Sequence, residues 1–140
     1  MTLSPEANKL IVRRYVDELW NRGDLATADA IMAADFIEHV PSPGQEPGRE
    51  GYKQYIVQFR NAFPDMQFVV EDLIAEGDKV VLRWSGQGTH KAELAGIPAT
   101  GKMVTLTGID IFRFADGQVV ERWGERDVLS LMRQLGVIPS

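Results

Sequence analysis

"AFPDMQFVVEDLIAEGDKVVLRWSGQGTH", residues 62–90, is where this chain changes its hydrophobic period. Up to Phe63 the apolar residues recur at helical spacing. From Met66 onward they crowd into runs rich in Val, Ile, Phe and Trp, broken by the turn-forming triplet Glu76-Gly77-Asp78. Two strand-like runs joined so briefly must be antiparallel neighbours.

Reading outward from that hairpin gives the rest of the architecture. "KMVTLTGIDIFRF" and "QVVERWGERD" read as two further strands joined by Asp116-Gly117, and "VLSLMRQLG" as a last helix capped by Asp127 and closed by Gly136. On the N-terminal side, Ser4 and Pro5 open a helix carrying Ile11, Val12, Tyr15, Val16, Leu19 and Trp20. Asp24 caps a short helix through "LATADAIMAA", "DFIEHV" is a short strand, and "PSPGQEPG" is loop. Tyr52, Tyr55, Ile56, Phe59 and Phe63 mark a third helix, ended by Pro64-Asp65. Helices first and an antiparallel sheet afterwards predict an α+β fold whose helices cover one sheet face. "GTHKAELAGIPATGK", residues 88–102, is a long connection between two strands, a length that usually signals function.

Composition narrows the class. At 140 residues, 44% hydrophobic and 25% charged, the chain predicts one domain, 1–140, with a single sizeable core. A net charge of -5 without a basic stripe speaks against nucleic acid. No cysteine is present, so disulfides, thiolate metal sites and a cysteine nucleophile are excluded together. Neither a signal peptide nor a long apolar span is read, which predicts a cytoplasmic protein without a membrane partner. Two histidines without HExxH-type spacing give no metal site, and no GxSxG, P-loop or GxGxxG unit supports a serine hydrolase or a nucleotide cofactor.

Four pieces in this order carry a resemblance: the opening stretch, "GIPATGK", "GIDIFRFADGQVVERW" and the terminal "RQLG". Together, over roughly Ile11 to Gly136, they resemble the SnoaL-like polyketide cyclase family, within the folds like nuclear transport factor 2. The resemblance implies a cone: a bent sheet wrapped around helices, enclosing an apolar cavity, in a homodimer or higher oligomer. It also implies intramolecular aldol ring closure without metal or cofactor. The aspartate that serves the characterised cyclases as acid/base falls on Gly124, and their histidine position falls on Asp110.

Asp110 is therefore the leading catalytic candidate. It shares a strand face with Leu106, Phe112 and Phe114, where an ionisable group is costly unless paired and where desolvation raises a carboxyl pKa. The alternative is a structural or binding role, in which Asp110 simply accepts a hydrogen bond or pairs with an arginine such as Arg83 or Arg122; a free carboxylate in a cavity favours catalysis, and a bidentate arginine favours binding or structure. His90, at the entry to the long loop, and His39, in "FIEHV", are further catalytic candidates. Trp84, Trp123, Arg122, Tyr15 and Phe59 are candidate ligand-binding residues. The function expected is proton abstraction beside a carbonyl in a small apolar ligand, giving aldol cyclisation or isomerisation. Epoxide hydrolysis by an Asp–Arg–carboxylate set and ligand binding without catalysis are the alternatives. The loop 91–101 is either a cavity rim or a subunit contact. The strand face bearing Thr105, Thr107, Ile109 and Ile111 is the expected dimer surface.

Overall fold

A computed structural model describes residues 2–139. Helix α1 (Pro5–Arg14) runs straight into a π-helical segment (Tyr15–Trp20), followed by α2 (Leu25–Ile31), β1 (Met32–Glu38) and α3 (Gly48–Ala62). Strands β2 (Gln67–Glu76), β3 (Lys79–Thr89), β4 (Met103–Ala115) and β5 (Gln118–Arg126) precede α4 (Val128–Leu135). The strands form one sheet in the order β1-β5-β4-β3-β2. β1 runs parallel to β5, and the other neighbours are antiparallel. The fold is α+β, as the sequence predicts.

Local chemistry explains the boundaries. The Ser4, Asp24 and Asp127 side chains accept hydrogen bonds from the backbone N–H groups of Ala7, Ala26 and Ser130, capping α1, α2 and α4. Gly136 stops α4 in the left-handed region, at φ 81°. Asp116 (φ 52°) and Gly117 (φ 76°) supply the two left-handed residues of a tight hairpin between β4 and β5. Register shifts in the β1–β5, β2–β3 and β4–β5 pairings bend the strands, and the sheet curves around the helices. Its concave face and the helices bury one continuous core, with Val12, Leu19, Tyr52 and Ile56 meeting Val80, Leu82, Leu106 and Phe112.

Three elements depart from the sequence reading. The helix expected through "LATADAIMAA" stops at Ile31, because Met32 joins the ladder opposite Val119 and sheet pairing overrides the helix propensity of the alanines. Tyr15–Trp20 is wound as a π-helix, with Asn21 N–H donating to the Val16 carbonyl five residues back (2.9 Å). The wider turn brings Tyr15, Val16, Leu19 and Trp20 all inward. Gly88 and Thr89 belong to β3, opposite Val104 and Met103, which shortens the long connection to residues 90–102. Among the described residues, no helix is long and apolar enough to cross a membrane.

Candidate active site

Alternation on three adjacent strands builds the site. On β4, Asp110 is buried between the outward-facing Ile109 and the partly covered Ile111, on the face of Leu106 and Phe112. On β5 the same period sends Arg122, Gly124 and Arg126 inward, and Asp110 lies directly opposite Gly124. On β1, Glu38 pairs in register with Arg122 and shares the face of the buried Phe36. The π-helical segment closes the space from the other side with Tyr15, Val16 and Trp20. The cavity measures about 210 Å³ and is further lined by Phe59, Phe68, Leu82, Trp84 and Leu106. This is smaller than the ~300–1,000 Å³ of pockets for drug-sized ligands, so it suits a small ligand.

One guanidinium serves two carboxylates. Arg122 donates through Nη1 to Glu38 Oε1 and through Nη2 to Asp110 Oδ1, the latter at 2.9 Å. Burial raises the pKa of Asp110 and is only partly offset by the charge and hydrogen bond of Arg122. Glu38 is raised by the same desolvation, against the Arg122 charge and a hydrogen bond from the Val40 amide. Desolvation also works against the Arg122 cation, but the surrounding phenols and both carboxylates outweigh it and hold its pKa above the usual value. The group carries one more potential negative charge than positive, so it binds a proton more readily than an isolated ion pair. Arg122 engages only Oδ1 of Asp110. The indole of Trp84 lies beside the carboxylate and favours its charged form, although Nε1 completes no hydrogen bond.

Gly124 makes this arrangement possible. A Cβ at that position would lie 2.5 Å from Arg122 Nη2 and 2.7 Å from Asp110 Oδ1, inside the Asp110–Arg122 hydrogen bond. Any other residue would displace the pair.

One phenol, Tyr15, lines the cavity, and a second, Tyr52, backs it from the core. The hydroxyls of Tyr15 and Tyr52 share a short hydrogen bond, and the Arg122 guanidinium sits 5.5 Å from the Tyr52 ring centroid. Burial pushes the Tyr15 hydroxyl up to about 12, with the Arg122 charge opposing and the Asp110 charge assisting. Tyr52 is raised further, again chiefly by burial. Both phenols therefore stay protonated; one proton makes their shared hydrogen bond, and with Tyr52 as that donor the Tyr15 O–H is left to face the cavity.

The mouth is formed by Val40, Pro41, Ser42, Pro43 and Gln45 with Arg126 and Val128. Residues 90–102, the loop expected as a rim, contribute nothing to the lining. Leu94 and Ile97 instead exchange both backbone hydrogen bonds around Ala95-Gly96 and pack on the core, while Lys91 N–H donates to the Ala62 carbonyl (2.8 Å). Of the two expectations for this loop, the cavity rim is thereby corrected: the loop folds down on the end of α3.

The candidates named from sequence divide into two groups. Asp110, Arg122, Trp84, Tyr15 and Phe59 line one cavity. His90 does not: it is fully buried under the 90–102 loop, beside Phe63, and its Nδ1 accepts from the Thr100 N–H at 3.2 Å. His39 and Trp123 lie outside as well, because strand alternation sends them to the convex face. There their rings stack at 4.5 Å, and His39 Nε2 meets Glu121 Oε1 at 3.3 Å. Among the described residues no three His, Asp or Glu side chains are grouped as a metal site. Sequence reasoning missed Glu38 and Arg126. Both carried a signal: Glu38 stands two residues after Phe36 and Arg126 two after Gly124, each on an inward-facing row.

Comparison with known proteins agrees with this fold. The chain is 27% identical over 140 residues to DauD, an aklanonic acid methyl ester cyclase of Streptomyces sp. (strain C5), covering 96% of this chain and 83% of the relative. It is 27% identical over 132 residues to DnrD, the cyclase of the same description in Streptomyces peucetius, covering 90% and 88%. The structure of TsrD from Streptomyces laurentii superposes with a TM-score of 0.89 at 31% identity, covering 98% of this chain and 100% of that one. The family model described as SnoaL-like polyketide cyclase matches residues 10–135, and the chain belongs to that family.

Proposed function

We propose that this protein is an acid/base enzyme that removes the proton beside a carbonyl in a small, largely apolar ligand, with Asp110 as the base. The observation that carries this reading is a buried carboxylate with a raised pKa, bound through one oxygen only, on the wall of a cavity that opens to solvent at one end. As the C–H bond breaks, its proton goes to Asp110 and its electron pair delocalises onto the carbonyl oxygen. The protonated Tyr15 hydroxyl is the donor suited to that developing charge. Attack of the resulting enolate carbon on a second carbonyl of the same molecule forms the new C–C bond. Asp110 then returns its proton to the alkoxide. Reprotonation at a different carbon would give an isomerisation instead. Cyclisation is favoured, because the curated relatives are cyclases.

Asp110→Asn tests this cleanly, because Arg122 keeps Glu38 as its counter-charge and the fold should survive. Solvent deuterium exchange at the carbon beside the carbonyl, followed by NMR, should slow by about 100-fold or more. Exchange at the wild-type rate in a folded variant would overturn the assignment.

The carboxylate–arginine–carboxylate set supports a second reading, activation of water against an epoxide. Turnover of a small epoxide in H₂¹⁸O with label in a diol product would favour it over the carbon-acid reaction. We also infer a homodimer built on the convex face, where Thr105, Thr107 and Ile109 are exposed. Light scattering should give twice the 15.6 kDa chain mass, and a monomer at micromolar concentration would refute it.

A further inference from the structure

β5 carries a second inward arginine whose circumstances differ from those of Arg122. Arg126 lines the cavity mouth, donates to the Tyr55 hydroxyl through Nη1 and reaches Ser42 Oγ through Nη2 at 3.5 Å. Its guanidinium lies 5.4 Å from the Tyr55 ring centroid. No carboxylate is within ion-pair distance of it among the described residues. The adjacent Glu125 also borders the cavity, but it pairs in register with the outward-facing Ile109 and makes no ion pair with Arg126. Arg122 has two carboxylates and Arg126 has none. A guanidinium held against phenol and hydroxyl groups at a cavity entrance, with the Glu38 charge acting on it only at a distance and no carboxylate in direct ion pair, is a site for an anion from outside.

We propose that Arg126 binds a carboxylate on the substrate, so that the natural ligand is a carbonyl compound bearing a free acid, in contrast to the methyl ester for which the relatives DauD and DnrD are named. This rests on the reading of the cavity as a carbon-acid site. Three observations support a carboxylate. A guanidinium matches its planar, two-oxygen geometry. Ser42 Oγ and Tyr55 OH stand beside Arg126 as further hydroxyl groups, and the Gln45 amide is at the same rim, its Oε1 occupied by the Ser42 N–H so that Nε2 is left to donate. A dianionic phosphate would call for a second free cation, and among the described residues the only other guanidinium on the cavity wall is already shared between Glu38 and Asp110. The ladder also sets the length of the substrate. Arg126 is opposite Gly108 and Gly124 is opposite Asp110, so the anion and the reacting carbon are separated by two residues of strand. At ~3.3 Å per residue that is about 7 Å. The overall charge of -5 repels anions from the protein as a whole, so a preference for an acid must come from this local group.

The test compares 6-oxo-6-phenylhexanoate with its methyl ester, followed by quenching of the cavity residues Trp20 and Trp84. The acid should bind wild type about 10- to 100-fold more tightly than the ester, the range of a charge-assisted hydrogen bond. Arg126→Gln should erase the preference by weakening the acid alone, and Arg126→Lys should restore part of it. Equal affinity for acid and ester in wild type, binding of neither at millimolar concentration, or an Arg126→Gln loss shared equally by both compounds would each overturn the proposal. Deuterium exchange in the bound acid reports separately on Asp110. An Arg126-dependent preference without exchange would sink the catalytic reading and leave the anion site standing, whereas exchange with equal affinities would do the reverse.

Discussion

Strand β5 carries two clusters made of nearly the same residue types, one on each face. On the concave side Arg122 joins Glu38 and Asp110; on the convex side Arg113 joins Glu121, which also meets His39. Each has an arginine bonded directly to a carboxylate. Solvent separates them: the side chains of Arg122, Glu38 and Asp110 are 13%, 6% and 4% exposed, against 35% for Arg113, 20% for Glu121 and 34% for His39. In the buried cluster desolvation is the first cause of every shift, and both carboxylates are raised. In the exposed cluster the hydrogen bond from Arg113 comes first, and Glu121 is lowered. The same chemical groups thus form a proton-binding site on one face and an ordinary surface pair on the other.

Removing the cation from each cluster should break the comparison most visibly. Arg122→Gln leaves two carboxylates buried without a counter-charge, a defect of about 3–5 kcal/mol at neutral pH. Urea unfolding should show that loss, and it should shrink in acid as the carboxylates protonate. Arg113→Gln should leave the melting temperature at the wild-type value, because water replaces the lost partner. A comparable loss in the two variants would mean that the concave face is wetter than its burial implies.

Gly124→Ala is a smaller probe of the same contrast. Its Cβ would enter the Asp110–Arg122 hydrogen bond, so Arg122 must move toward Glu38 or the strand must shift. The cost expected is that of overpacking, about 1–3 kcal/mol, together with a further rise in the Asp110 pKa as its cation withdraws. In the pH dependence of kcat/KM the acidic limb should move to higher pH. A limb that stays in place would show that Arg122 does not set the basicity of Asp110.

Much of this was legible in the sequence, for reasons that differ by residue. Asp110 stood out because a period of two places it in a row with Leu106, Phe112 and Phe114, and that row is the core. Gly124 stood out only through resemblance, and its physical meaning, room for Arg122, needed coordinates. The same period could have nominated Glu38 from Phe36, but His39 drew attention as the more reactive residue type. The π-helical turn was illegible, since Tyr15, Val16, Leu19 and Trp20 satisfy an α-helical pattern equally well. Length singled out residues 90–102 but carried no information on which end of the sheet the loop would cover. The short Pro-rich stretch at 41–48 looked uninformative and forms much of the cavity mouth.

The smallest expected effect is also the most specific, because the two clusters should respond to pH with opposite signs. Asp110 has its pKa raised above the usual 3.8. Its contribution to stability is therefore fully present below that value and is lost as pH rises through the folded-state pKa. Glu121 is lowered from 4.5, so its contribution is present above that value and is lost as pH falls through the folded-state pKa. Solvent screening makes the Glu121 term the weaker one. Asparagine and glutamine mimic the protonated acids at every pH. Relative to wild type, Asp110→Asn should gain stability as pH rises from about 3 to about 7, the span over which carboxylates titrate, while Glu121→Gln should lose it. Chemical denaturation of the three proteins across that range measures both slopes. Parallel slopes would show that burial on the concave face does not reverse the behaviour of its carboxylates, and the acid/base reading of Asp110 would lose its physical basis.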